Sequence, residues 1–530
     1  MHLSGIETEL GQSYPPAIVR TLWLLALLSL VFSFYATTVG FHNSLLDFHG
    51  FRQAQTEMAV DSMLHGGSFL RYETPVLGPP WSIPFEFPLY QGIVAKLAQT
   101  FSTRIEETGH FVSILFYYLC FFPLASILSR IGLRGVRMVP ALILFATSPV
   151  YVFVSHLFLI ESTALFFSLL YADQMFRLVL DKKPWRFRHV AAGAVFGSLA
   201  GLVKATTFPP FLGIGVCLIA WGIWRDREDG KLKRAAVTIA SVFSVVLPVA
   251  VVLSWTHFAD GVKAQNPSGV YLISKALTAW NFGTLAQRLT LRPYLHFLNN
   301  VNNHLGNIGV AAVVLAVYIW LCRRWNRTAV ACLLLYAAPT LVFFNLHWVH
   351  EYYPYANAIF LVVAAGVLIT AMMELPGRRA WIGVALLMLE VAACGFRYFT
   401  HYYPIQSPNA QVRPAAAALV DSTTPPGSVI VILGLYWSPE FPYQCHRRAI
   451  MDVAPKDVQA EAWWVGPMER GISIEGPRNI AAFVACDAGR HWPRLPILLR
   501  DTEMPQETNL HADGCDIYER SAANGIPATP

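Results

Sequence analysis

Charge is scarce in this chain of 530 residues. Asp, Glu, Lys and Arg make up 14% of it, against about a quarter in an ordinary soluble domain. With 55% hydrophobic residues and a mean hydropathy of +0.44, a soluble globule would expose too much apolar surface. Disordered and fibrous classes are excluded because aromatics reach 13%. No repeat with a period of about 20–50 residues is visible, so an inverted-repeat transporter gains no support. The eight cysteines form no Cys-x-x-Cys pair, which leaves a zinc or thioredoxin-like reading weak. The net charge of +6 is split among short loops and is no nucleic-acid footprint.

What is abundant is apolar run after apolar run, each long enough to cross ~30 Å of hydrocarbon. We read a mostly α, polytopic transmembrane bundle of about eleven spans: 20–40, 108–129, 138–155, 161–177, 189–204, 207–224, 235–257, 306–322, 328–346, 354–373 and 380–397. Pro209 and Pro210 make the 189–224 pair the least regular. The first run reads as a retained span, because Phe41, His42 and Asn43 follow it where a small-residue cleavage site would stand. Eighteen lysines and arginines fall in one set of short loops, such as Arg130, Arg134 and Arg137, while the opposite loops carry none, with Lys204 at the edge of one. That bias predicts a cytoplasmic N-terminus and, with an odd span count, an extracytoplasmic C-terminus in the plasma (inner) membrane.

Three long segments then face outward: 41–107, 258–305 and the tail 398–530. We divide the chain into a transmembrane domain, 1–397, and a small extracytoplasmic α/β domain, 398–530. In the tail, Val429–Leu433 and Asn479–Ala485 read as buried strands, with turn signals at Pro425-Pro426-Gly427 and Asp513-Gly514. Cys486 and Cys515 are expected to pair in an oxidising compartment, with Cys445 an equally placed partner by sequence.

The candidate chemistry lies at the outer ends of the spans. Asp47 and Arg52 stand five residues apart, just outside the first span, at the head of a short helix expected over Phe51–Leu64. On spacing alone the more ordinary reading is a helix-end charge for Asp47 and a headgroup anchor for Arg52, because helix-terminal acids are common. Glu86 lies in an apolar, proline-flanked stretch, Pro84 to Tyr90, where an acid usually has a partner or a task. Glu161 is held in a turn of a few residues, as a helix-starting acid or as part of a site. Lys204 closes a span, where snorkelling is the ordinary reading. His347-Trp348-Val349-His350-Glu351-Tyr352-Tyr353 combines interface aromatics with two histidines; a divalent cation is a candidate there, though the spacing is less specific than His-Glu-x-x-His. Together these side chains fall on one predicted side of the membrane. A carboxylate can take a proton from an acceptor hydroxyl. Cations can hold a lipid-linked phosphate as it leaves. Well inside the spans stand only Glu390, expected to pair across helices, and Asp173, near a cytoplasmic end.

These motifs resemble the GT-C superfamily of integral-membrane glycosyltransferases, in particular the bacterial relatives of dolichyl-phosphate-mannose protein mannosyltransferases, with aminoarabinose lipid A transferases as cousins. The likeness rests on Asp47 with Phe51-Arg52-Gln53-Ala54-Gln55-Thr56, on Glu86-Phe87-Pro88-Leu89-Tyr90, on Glu161, on Gly201-Leu202-Val203-Lys204 and on His350 to Tyr353. Gly434-Leu435-Tyr436-Trp437-Ser438, Tyr443 and Arg447-Arg448 are similar to the outer domain of these enzymes. Gln55 stands where an acid is common, Glu161 where Asp is usual, and Phe87 where the aminoarabinose enzymes carry Lys. The resemblance implies a polyprenyl-phosphate-sugar donor and a glycan, lipid or protein acceptor, in contact with membrane lipids and without nucleic acid. Asp47 is then the expected base, with Glu161 orienting the acceptor or sharing that role. Arg52 and Lys204 become phosphate clamps. Gln53, Glu86, His350, Tyr352 and Tyr353 line the site, Glu86 and His350 being the candidate metal ligands. The competing reading is a transporter or flippase for a lipid-linked sugar.

Overall fold

Among the described residues, six helices are long and apolar enough to cross a membrane: Pro16–Thr38, Ile105–Arg130, Glu161–Leu180, Val242–Lys263, Tyr355–Met373 and Gly377–Gln406. A seventh candidate is a pair, Leu291–Leu305 and Ile308–Cys322, bent by 84°. Four shorter apolar helices accompany them, Gly135–Thr147, Phe187–Val203, Pro209–Arg225 and Arg327–Val342. The computed structural model describes residues 14–45, 48–181, 187–225, 231–407, 413–452, 461–508 and 510–520. Asp47 therefore lies outside the described residues.

Local chemistry sets these boundaries. The run expected to be one span at 138–155 is two helices, Val139–Thr147 and Pro149–Val154. Pro149 lacks the N–H that would continue the first helix and sits at the start of the second, where no such donor is needed. Pro209 and Pro210 likewise open Pro209–Arg225. Asn307 Oδ1 accepts from the amides of Gly309 and Val310 at 2.8 and 3.2 Å, capping Ile308–Cys322.

The described residues form two compact units. The first draws on 1–41, 110–252 and 279–408. Its central helix is Tyr355–Met373, whose apolar window is 94% buried, against 22% for Pro16–Thr38. A helix hydrophobic all round belongs inside a bundle. Gly366 permits a close approach there: a Cβ at this position would stand 2.6 Å from the Ala141 backbone. Asp173 accepts from Ser126 Oγ and Arg177 Nε, both at 2.6 Å, with Arg130 at 3.4 Å. It is a paired structural charge. The expected cross-helix partner of Glu390 is not found: neither oxygen of this buried carboxyl has a hydrogen-bond partner among the described residues.

The second unit gathers residues from all three segments read as outward-facing, 42–109, 253–278 and 409–530. Its sheet has five strands: β1 (Val429–Leu433), β2 (Arg448–Met451), β3 (Ile480–Cys486), β4 (Leu510–Ala512) and β5 (Cys515–Glu519), in the order β2-β1-β3-β5-β4. β1 runs parallel to β2 and β3, and β5 antiparallel to β3 and β4. β1 and β3 are wholly buried, which is why they read as unbroken apolar runs. Between β4 and β5, Asp513 and Gly514 both have positive φ, 48° and 77°, as the tight primed turn of a two-residue hairpin requires. Cys486 faces Cys515 in register, and the two form a disulfide; Cys445 is a buried free thiol. The 42–109 segment is tied to the sheet by a bridge between Leu77 and Ile450 and by the Arg448–Glu73 ion pair. Asn266 Nδ2 binds the carbonyls of Gly78 and Pro80 at 2.8 and 3.0 Å.

Candidate functional site

In the first unit the cluster is built on Lys204. The helix Phe187–Val203 ends one residue before it, and Glu161 opens Glu161–Leu180. Lys204 Nζ and Glu161 Oε1 form an ion pair, with 3% and 1% exposure. Glu161 is thus both a helix-starting acid and the partner of a buried cation. Lys204 Nζ also lies 4.2 Å from the centre of the Tyr353 ring and 4.9 Å from that of Tyr352. An ammonium held over aromatic faces is stabilised by the ring quadrupoles without being neutralised. Tyr352 and Tyr353 stack on each other at 5.0 Å, and the His350 ring is 5.2 and 5.6 Å from them. The sequence places these two tyrosines at interface depth; that they wall Lys204 depends on how their turn folds.

Two more residues stand beside this cluster: Tyr355, which was not singled out from sequence, and His347, the first histidine of the candidate cation turn. Tyr355 shares its hydroxyl with Ser155 Oγ at 2.9 Å and Ser162 Oγ at 3.0 Å, and its carbonyl accepts from Tyr151 at 2.8 Å. This network fixes the turn carrying Glu161 against the start of Tyr355–Met373. The signal was a tyrosine following two others, indistinguishable from an interface belt. His347 is buried, and its Nε2 has no partner among the described residues. Burial first, and the nearby Lys204 charge second, push its pKa down to about 3, so this imidazole is neutral.

In the second unit the cluster is built on Arg52. The helix Gly50–Leu64 begins after His49, whose φ of 66° turns the chain into it. Gln53, fully buried, donates from Nε2 to the Phe48 carbonyl at 3.2 Å and secures that turn. Arg52 Nη2 is 2.5 Å from Glu86 Oε1, and Nη1 donates to Gln55 Oε1. Gln55 stands where an acid is common in the resembled family; here a neutral amide takes the hydrogen bond from Arg52. The Glu86 backbone is held in turn: Tyr72 Oη donates to its carbonyl at 3.1 Å and accepts from the Phe85 amide at 2.8 Å. Burial, then the Glu86 charge, push the Tyr72 hydroxyl upward, so it stays a donor. Trp437 packs on Phe51 at 4.9 Å and on Phe85 at 6.2 Å. Phe87, in place of the lysine of the aminoarabinose enzymes, lies against Phe69 and Trp255 at 5.6 and 5.2 Å.

A metal finds little to hold it. Among the described residues no three His, Cys, Asp or Glu side chains converge, and Glu86 is engaged by Arg52.

Comparison with known proteins adds the fold. No protein-family model and no curated protein sequence matches the chain. Among solved structures it is similar to ArnT from Cupriavidus metallidurans bound to undecaprenyl phosphate, with a TM-score of 0.62 and 13% identity over 95% of this chain and 99% of that one. The apo state of the same protein gives a TM-score of 0.60 with the same identity and coverage. The archaeal oligosaccharyltransferase AglB from Archaeoglobus fulgidus, in complex with an inhibitory peptide and a dolichol-phosphate, gives 0.52 and 12% identity over 87% of this chain and 69% of that one. At such identities the likeness is one of fold.

Proposed function

We propose that the chain is a membrane glycosyltransferase that moves a sugar from a polyprenyl-phosphate donor to an acceptor hydroxyl on the extracytoplasmic side. The observation that carries this reading is the buried Lys204, paired with Glu161 and walled by Tyr352 and Tyr353. Ionisable groups buried in membrane proteins are costly and mark functional sites. The fold supports the donor class, because two structures sharing it hold a polyprenyl-type phosphate.

Lys204 and Arg52 bind the donor phosphate and stabilise the charge it gains as the sugar C1–O bond breaks. Arg52 adds a planar fork of donors suited to phosphate oxygens. Asp47 takes the proton from the acceptor hydroxyl, whose oxygen forms the new bond to C1 with inversion. Glu161 keeps Lys204 in place and orients the acceptor; Glu86 does the first of these for Arg52. Gln53, His350, Tyr352 and Tyr353 shape the walls. A flippase is the competing reading, and the buried Glu390 is what favours it.

Mass spectrometry of envelope glycans and lipid-linked sugars, with and without the gene, tests the proposal. A transferase leaves unused donor and a missing sugar. Donor trapped on the cytoplasmic leaflet would support the flippase.

A further inference from the structure

One segment, nearly all of it in the first unit, departs sharply from the direction of the apolar helix that follows it. Between Thr278 and Asn299 the chain forms three short helices, Thr278–Phe282, Leu285–Arg288 and Leu291–Asn299. The last belongs to the stretch Leu291–Leu305, which meets Ile308–Cys322 at 84°. Ile308–Cys322 is apolar on every side, so a stretch at right angles to it runs along the membrane plane. Leu291, Leu295 and Leu298 share one helix face at i, i+4 and i+7; Leu285 and Leu289 repeat the spacing one helix earlier. All five are more than half exposed. The other side is turned to protein, with Pro293 buried and Phe297 packed on Phe344 at 5.1 Å. No Asp or Glu occurs between Asp260 and Glu351, whereas Arg288, Arg292 and His296 recur every fourth residue.

We propose that this segment is an in-plane anchor, with its leucine stripe seated at the headgroup–acyl boundary of the leaflet beside the His347–Tyr353 turn. The occupant is lipid. The right angle to Ile308–Cys322, apolar on every side, sets the plane, and a wholly basic segment suits the phosphate level of an anionic leaflet. The anchor is fastened to Phe344–Val349, the short helix that opens that turn, and to the end of Arg327–Val342. Gln287 Nε2 donates to Asn345 Oδ1 at 2.8 Å, and Asn345 Nδ2 donates to the Trp280 carbonyl at 2.8 Å. Arg288 donates to the carbonyls of Leu341 and Phe282 at 2.7 and 2.6 Å. Seating in the leaflet thereby sets the depth of the turn that walls Lys204. The inference stands whichever chemistry the site performs.

The test uses the full chain in nanodiscs of phosphatidylcholine and phosphatidylglycerol. A spin label at Leu289→Cys or Leu295→Cys, with the free cysteines replaced, is read by collision with oxygen and with a water-soluble nickel chelate. The oxygen-to-nickel ratio should exceed several-fold that at Glu503→Cys, an exposed position of the tail. Equal ratios, or a label reached by neither reagent, would overturn the proposal. The unmodified chain gives an independent measurement. Lipids carrying a diazirine near the top of the acyl chain should crosslink to the 285–298 peptide; crosslinks to Pro16–Thr38 without any to 285–298 would contradict it.

Discussion

Lys204 reaches Glu161 across 43 residues of sequence, and both ends of that ion pair are buried. In such a pair the attraction is offset by the cost of removing two charges from water, so what the pair contributes shows only when one member is lost.

Glu161→Ala leaves the ammonium buried without its carboxylate and should cost about 3–5 kcal/mol of stability. Glu161→Leu combined with Lys204→Met removes both charges and should recover most of it, while sugar transfer stays absent. Thermal unfolding of the purified variants, set beside their transfer rates, separates the two roles. A double variant that still transfers sugar would remove Lys204 from the chemistry.

Arg52 and Glu86 are partly exposed, at 15% and 22% of their side chains, so their ion pair should contribute at most ~1 kcal/mol to stability. Arg52→Ala should therefore fold normally. Losing a charge-assisted hydrogen bond to phosphate, at roughly 1.5–3 kcal/mol, should raise the apparent Km for donor by about tenfold or more. Arg52→Lys keeps the charge and loses the fork, and should fall between the two. Donor titrations in the steady state check this; an unchanged Km for Arg52→Ala would make the residue structural.

Replacing Cys486 and Cys515 by alanine should lower stability by about 3–4 kcal/mol in the chain-entropy description, because the bond closes a separation of 29 residues. Peptide mapping without reductant should recover Cys486 joined to Cys515, with Cys445 alkylated. From the sequence Cys445 was an equal candidate. The register of β3 against β5 decides the matter, and register is a property of the assembled sheet.

Other elements divide in the same way. The Val429–Leu433 strand and the Asp513-Gly514 turn were legible because their signals are local: a buried apolar run, and two residues tolerant of positive φ. The 138–155 run misled because hydropathy does not register the missing N–H of Pro149. Lys204, Glu161, Arg52 and Glu86 were recognised as side chains with a task. Their pairing was not, because each partner lies on a separate helix or loop and nothing in the spacing marks it. Tyr355 was hidden among interface tyrosines until its bonds to Ser155 and Ser162 set it apart.

Asp452 follows β2 in the second unit, largely buried, and accepts from the backbone of Gly434 and Tyr436. Burial outweighs those hydrogen bonds and pushes its pKa up to about 6. The folded state thus holds a proton that the unfolded chain releases near pH 4. The associated stability, about 3 kcal/mol, is full below that pH and is lost as pH rises through 6. Asp452→Asn should flatten this dependence. Unfolding midpoints of the solubilised chain at pH 5 and pH 7.5 should differ more for the wild type than for the variant.

The most direct test of the account is a reconstitution. Purified chain in liposomes, given a radiolabelled polyprenyl-phosphate-sugar and an extract of envelope acceptors, should release free polyprenyl phosphate and move the label to acceptor. Asp47→Asn should lose about 10²–10⁴ in rate while inserting normally. Labelled donor that crosses the bilayer intact, with no polyprenyl phosphate released, would contradict the account and make the protein a flippase.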